Sequence, residues 1–175
     1  MTHAANLDAA ETYLNNLTTL TANFQQIAPD GSFARGELFI KRPGKMRWNY
    51  APPNEIQMVA NDDTLIYYDA EMDEVSYLSL DDTLAAFITK PSIDFDDPEL
   101  LISRVADEAG LLRFSVSHRA QPDNGALLLV FRTDPMQLYQ LLIENAGGEV
   151  TIITLDNIRK GAPLDDALFR FKKPK

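Results

Sequence analysis

Few residues in this chain have the types and spacing that could do chemistry. The two histidines, His3 and His118, lie far apart in sequence. His3 sits at a chain end that frays, and a lone His118 on a strand reads as a surface residue rather than a base. Asp94, Asp96, Asp97 and Glu99 crowd four carboxylates into one loop. That donor set could suit calcium, but the loop lacks the glycine and ligand spacing of an EF-hand, so a solvated acidic loop is the better reading. The chain has no cysteine, which excludes disulfides, thiolate metal sites and a cysteine nucleophile. It carries no G-x-S-x-G, no H-E-x-x-H and no phosphate-cradling glycine loop. No catalytic constellation is present, and we expect no enzyme activity, no metal and no cofactor.

What remains is a hairpin, Gly36 to Pro53, around which the chain is organised. Leu38 and Ile40 alternate with Glu37, Phe39 and Lys41; Met46, Trp48 and Tyr50 alternate with Lys45, Arg47 and Asn49. A strand has period two, so each arm sorts its side chains onto two faces. Pro43-Gly44 marks the turn and Pro52-Pro53 stops the second arm. One face is large and apolar, and the face behind it is cationic. Arg42 shares the parity of Leu38 and Ile40. On its own it reads as a turn residue reaching solvent.

Composition bounds the rest. The chain has 175 residues, of which 45% are hydrophobic, so it is read as one domain (1–175) with a substantial core rather than as a disordered chain. A net charge of −10 argues against nucleic acid as a partner, although the hairpin's lysines and arginines could face an acidic one. No apolar run approaches the ~20 residues of a membrane span. The start, Met1-Thr2-His3-Ala4-Ala5, lacks the basic and apolar regions of a signal peptide.

The elements that must position these residues follow in order. Leu7, Ala10, Leu14, Leu17, Thr21 and Phe24 recur at three and four, which predicts one helix over 5–27. Short strands follow at 55–60, with Ile56 and Met58 on one face, at 64–68 and at 74–80; turn signals between them indicate an antiparallel meander. Asp81-Asp82-Thr83 can cap a short helix bearing Leu84, Ala85, Phe87 and Ile88. A second short helix is predicted from Pro98 to about Val105. Strands at 111–118, 126–133, 137–144 and 150–155 follow, then a last short strand at 168–171. The total of about ten strands fits a strongly curved or barrel-like antiparallel sheet.

Taken together these motifs resemble a known family. A first helix ends in Phe24-Gln25-Gln26; Gly36-x-Leu38-x-x-Lys41-Arg42-Pro43-Gly44-Lys45-Met46-Arg47-Trp48 follows. Then come Pro52-Pro53, Asp62-x-Thr64-Leu65 with Tyr67-Tyr68-Asp69, a Val75 strand and a closing Phe169-x-Phe171-x-x-Pro174. The pattern, nearly chain-long, is similar to the periplasmic outer-membrane lipoprotein carriers of the LolA family. Its most specific part is the Lys-Arg-Pro-Gly-Lys-x-Arg-Trp block.

The resemblance implies a mainly β, α+β fold: an unclosed antiparallel β-barrel with a long N-terminal helix and a short helical lid over a hydrophobic cavity. It implies a monomeric carrier, with its signal peptide removed, that accepts acylated lipoproteins from an ATP-driven inner-membrane release complex. Delivery is to an outer-membrane acceptor or to the outer membrane itself. It implies that Arg42 latches the lid through backbone carbonyls. The expected lining for acyl chains is Leu38, Ile40, Met46, Trp48, Tyr50, Ile56, Met58, Leu65, Tyr67, Leu84, Phe87 and Ile88. Met46 stands where the family commonly has an aromatic implicated in cargo handover, and the C-terminal extension of some members is missing. Two alternatives stay open. One is a related lipid-binding or lipoprotein-sensing barrel. The other is the membrane-anchored acceptor of the same fold, which would need a lipidated cysteine.

Overall fold

Helical periodicity at the N-terminus stops earlier than the sequence predicts. In the computed structural model, which describes residues 2–80, 83 and 85–175, helix α1 covers Thr2–Asn16 and strand β1 covers Thr19–Ile27. Leu7, Ala10 and Leu14 keep to the helix stripe. Beyond Asn16, Thr18, Thr19 and Thr21 are β-branched and stiff, which favours a strand. Leu20, Ala22 and Phe24 then alternate as buried residues with Thr21, Asn23 and Gln25. The same apolar residues satisfy both periods over this short run, and strand pairing decides.

Ten more strands follow: β2 Phe33–Lys41, β3 Lys45–Tyr50, β4 Ile56–Asn61, β5 Thr64–Asp69, β6 Glu74–Ser79, β7 Leu100–Glu108, β8 Leu111–His118, β9 Ala126–Thr133, β10 Met136–Glu144 and β11 Val150–Lys160. Helix α2 is Ala85–Thr89, after β6. The hydrogen-bonded order is β6-β5-β4-β3-β2-β1-β11-β10-β9-β8-β7. It ends in two strands that are not neighbours, so the sheet is not a closed barrel. The fold class is that expected: mainly β, antiparallel and unclosed, with few helices.

Two further expectations are overturned. The segment predicted as a helix from Pro98 to about Val105 is strand β7. Ala109 and Gly110, at φ 54° and 75°, make a two-residue turn of the kind that closes a hairpin, and Glu108 pairs with Leu111 across it. Pairing with β8 therefore outweighs the weak local helix signal. The predicted last strand is a 3-10 turn, Asp166–Phe169, whose start is capped by the Asp165 carboxylate accepting from the Ala167 N–H at 2.9 Å.

The contacts divide into two units. The first comprises Met1–Asn16, Gln26–Phe33 and Ser92–Leu155. Here α1 lies on β7, β8 and β10. Tyr13 meets the Phe131 ring edge-on at 5.5 Å, and Phe131 stacks with Phe114 at 6.0 Å. The acidic loop docks on the same helix: Asn15 donates to the Ile93 carbonyl at 2.7 Å and accepts from the Ile93 N–H at 2.9 Å, while Glu11 accepts from the Phe95 N–H at 2.6 Å. The second unit comprises Leu17–Gln25, Ala34–Pro91 and Asp156–Lys175, and it holds Arg42 and the described residues of the expected acyl-chain lining.

Candidate functional site

The hairpin register builds the apolar face. Leu38 lies opposite Trp48 and Ile40 opposite Met46. Trp48 continues to Met58, and Met58 to Tyr67; Met46 continues to Ala60, and Ala60 to Leu65. Ile56 and Tyr50 share the parity of these residues in β4 and β3. Nine of the expected lining residues thus stand on one face of β2 to β5.

Their exposure is graded along that face. Leu38, Ile40, Met46, Trp48 and Leu65 are buried, whereas Tyr50, Ile56, Met58 and Tyr67 are half-buried. Half-buried apolar side chains in a row retain surface that a lipid chain could cover. Phe87 and Ile88 of α2 are buried as well. Leu84, with the expected cap Asp81-Asp82, lies outside the described residues.

Phe24 is the member that sequence reading placed on the wrong element. From β1 its ring meets Trp48 and Tyr50 edge-on, each at 5.0 Å. The alternation of Leu20, Ala22 and Phe24 was the signal that could have found it. Gly36, opposite Tyr50, leaves room for that ring. A Cβ at position 36 would lie 1.9 Å from the Asn49 carbonyl oxygen and 2.8 Å from the Phe24 ring. Gly36→Ala is therefore expected to lose about 1–3 kcal/mol by overpacking and to shift Trp48 emission. A urea midpoint equal to that of the unsubstituted protein would show that the strands move apart freely here.

Arg42 does not reach out to solvent as a plain turn residue. Its Nε and Nη2 donate to the Lys90 carbonyl at 2.9 and 2.7 Å, and its Nη1 donates to the Leu17 carbonyl at 3.1 Å. Lys90 directly follows α2, where carbonyls lack intrahelical partners, so the guanidinium supplies donors that the helix end needs. The Arg42 N–H meets the Thr18 carbonyl at 2.8 Å, and the Gly44 N–H meets the Thr89 carbonyl at 2.9 Å. Burial pulls the guanidinium below its usual value, yet it stays charged. One side chain therefore ties the end of β2 to the end of α2 and to the start of β1.

The cationic face behind the hairpin is occupied by the chain itself. Lys41 Nζ meets the Leu164 carbonyl at 2.8 Å and the Asp166 carboxylate at 2.7 Å. Arg47 donates to the Leu168 carbonyl, Asn49 Oδ1 and Gln57 Oε1 at 2.8–2.9 Å. Phe169 is completely buried, and Phe171 meets Tyr68 at 5.5 Å. The C-terminal segment thus covers this face, and both cations have partners within the chain.

The remaining candidates for chemistry do not converge. His118 is exposed at the end of β8. Asp94 and Asp97 accept from the N–H groups of Asp96 and Glu99 in their own loop, at 2.8 and 2.9 Å. Among the described residues no group of three His, Asp or Glu side chains is placed to hold a metal ion. No helix among them is long and apolar enough to cross a membrane.

Comparison with known proteins bears on the same residues. A family model described as "Outer membrane lipoprotein carrier protein LolA" matches residues 15–172. An outer-membrane lipoprotein carrier protein from Azotobacter vinelandii is 30% identical over 180 residues, covering 92% of this chain and 81% of that one. An uncharacterized conserved protein from Thermus thermophilus has a similar structure, with TM-score 0.57 and 12% identity over 99% of this chain and 96% of its own. MucB aligns with TM-score 0.55 and 14% identity over 98% of this chain and 63% of its own. At such identities the two structures speak to the fold alone.

Proposed function

The chain belongs to the LolA family of outer-membrane lipoprotein carrier proteins, and from that premise we propose that it is a periplasmic chaperone that binds the acyl chains of lipoproteins released from the inner membrane and delivers them to the outer membrane. Residues 1–175 act as one carrier domain and as a monomer. Cargo arrives from an ATP-driven release complex and leaves to an acceptor or to the outer membrane directly. No bond is made or broken, so neither metal nor cofactor takes part.

The observation that carries this reading is the register-continuous apolar face of β2 to β5. Its half-buried end at Tyr50, Ile56, Met58 and Tyr67 is where acyl chains make contact. Each methylene leaving water gains about 0.8 kcal/mol, so a chain of ~15 methylenes cannot cross an aqueous space free. α2, with Phe87 and Ile88, acts as the lid, and Arg42 on the Lys90 carbonyl is its latch. Met46 is a buried member of the same face. Its flexible thioether adapts to acyl chains where a ring would hold one shape.

Trp48 is the sole tryptophan and supplies the test. A triacylated lipopeptide is expected to change its emission saturably and to displace a bound hydrophobic dye. The deacylated peptide is expected to do neither. If the lipopeptide leaves both the emission and the dye unchanged, the carrier reading fails. If free fatty acid and lipopeptide compete equally and nothing is passed to outer-membrane vesicles, the lipid-sensing alternative takes its place.

A further inference from the structure

The sheet order leaves two end strands, β6 and β7. A free edge is a template for further strands, and proteins blunt it with bulges, charges, prolines or a covering element. β7 is blunted in this way. Its ladder is broken between Ser103 and Ala106, Arg104 sits at φ 53° and pairs with Glu144 at 2.7 and 3.0 Å, and Asp107 accepts from Asn6 of α1. Among the described residues β6 has no bulge, proline or covering element, and its one charge is Glu74 at its start. Its register with β5 is unbroken from Glu74 to Ser79, and the run Glu-Val-Ser-Tyr-Leu-Ser holds no Lys, Arg, Pro or Gly.

The open side of β6 can be assigned group by group. Leu80 N–H donates to the Asp63 carbonyl at 2.8 Å. Hydrogen-bonded pairs alternate along an antiparallel ladder, so Glu74, Ser76 and Leu78 direct their main-chain groups to β5. Val75, Tyr77 and Ser79 direct theirs to the free side. Apolar side chains stand out on both faces, with Tyr77 68% exposed and Leu78 49% exposed. Both ends of the edge are acidic. Asp69, Glu71, Asp73 and Glu74 surround its start, and Asp62 and Asp63 lie beside its end. Lys173 meets Asp73 at 2.9 Å and Lys45 lies 3.6 Å from Asp62, which leaves an excess of negative charge. Two copies of β6 paired antiparallel would bring acidic ends together, so a second copy fits poorly.

We propose that the β6 edge accepts an extended peptide segment of a partner protein by strand addition, the segment being apolar at its centre and carrying Lys or Arg at both ends. The full chain is titrated with the synthetic peptide KRVTVTVRK and with two controls, EDVTVTVDE and KRVPVPVRK. The basic peptide is expected to bind saturably and to slow hydrogen exchange at the amides of Val75, Tyr77 and Ser79. Its affinity is expected to fall about tenfold between about 50 and about 500 mM salt. Val75→Pro removes an outward N–H at an edge position where proline is tolerated, and is expected to abolish binding. Tyr77→Lys keeps the backbone and is expected to weaken it through like charge. Equal binding of either control, or no protection at those amides, overturns the proposal. So does concentration-dependent dimerisation through β6, or attachment of Tyr77 and Leu78 to lipid vesicles with no peptide binding.

Discussion

Arg42→Leu is expected to give a folded protein that takes up a triacylated lipopeptide and then fails to pass it on. Among the described residues the guanidinium donates three hydrogen bonds to two carbonyls, of Lys90 and Leu17. Hydrogen bonds to a charged group contribute about 1.5–3 kcal/mol each. If cargo enters by opening α2, the empty, latched state competes with bound cargo and helps expel it. Loss of the latch shifts that balance by a few kcal/mol, which changes open and closed populations by one or more orders of magnitude. Lipopeptide affinity is therefore expected to rise at least about tenfold, and transfer to outer-membrane acceptors to slow correspondingly.

The structure adds a discriminating variant. Arg42 spans two carbonyls with a planar fork, and a lysine is a single point charge that cannot reproduce it. Arg42→Lys should therefore fall between the two in both affinity and transfer. The empty Arg42→Leu protein is also expected to melt several degrees lower, at about 2–4 °C per kcal/mol for a chain of this size. Delivery by Arg42→Leu at the rate of the unsubstituted protein would show that the contact to Lys90 is structural only.

The second large effect is expected at Phe169, on the side of β3 and β4 opposite the apolar face. The ring is completely buried in the segment that covers the outer side of β3 and β4. Phe169→Ala removes a buried ring and leaves a cavity, at a cost of about 3–5 kcal/mol. Against a total stability of about 5–15 kcal/mol that is a large fraction. The segment's polar ties should weaken with it, since Arg47 reaches the Leu168 carbonyl only while the 3-10 turn is seated. By contrast Lys41→Ala, which loses a partly exposed pair with Asp166 and one hydrogen bond to the Leu164 carbonyl, should cost no more than about 2 kcal/mol. Urea midpoints of the two variants separate these outcomes. A Phe169→Ala midpoint within error of Lys41→Ala would mean that the C-terminal segment is held by its ion pair and not by its ring.

Part of this was legible in the chain alone. The hairpin of β2 and β3 lies where Pro43-Gly44 and Pro52-Pro53 placed it, because turn chemistry is local. The parity of Leu38, Ile40, Met46, Trp48 and Tyr50 named one face correctly, because a strand has period two whatever it packs against. Strands β4 to β6 and β8 to β10 were readable for the same reasons. Arg42 stood out by parity, and the family resemblance supplied its expected acceptors.

The rest depended on partners distant in sequence. Leu17 to Phe24 fits a helix stripe and a strand alternation alike, and only its place between β2 and β11 selects the strand. β7 carries a weak local helix signal that pairing with β8 overrides. The acceptors of Arg42 are backbone carbonyls, which every residue carries, so no pattern of side chains marks those of Leu17 and Lys90 in advance. The cations at Lys41 and Arg47 looked available for an acidic partner, and they turned out to hold the chain's own C-terminal segment. Side-chain period and turn residues act within a few positions, and the sequence alone determined whatever rests on them; strand neighbours, carbonyl acceptors and the covering of a face are long-range, and only the tertiary structure decided them.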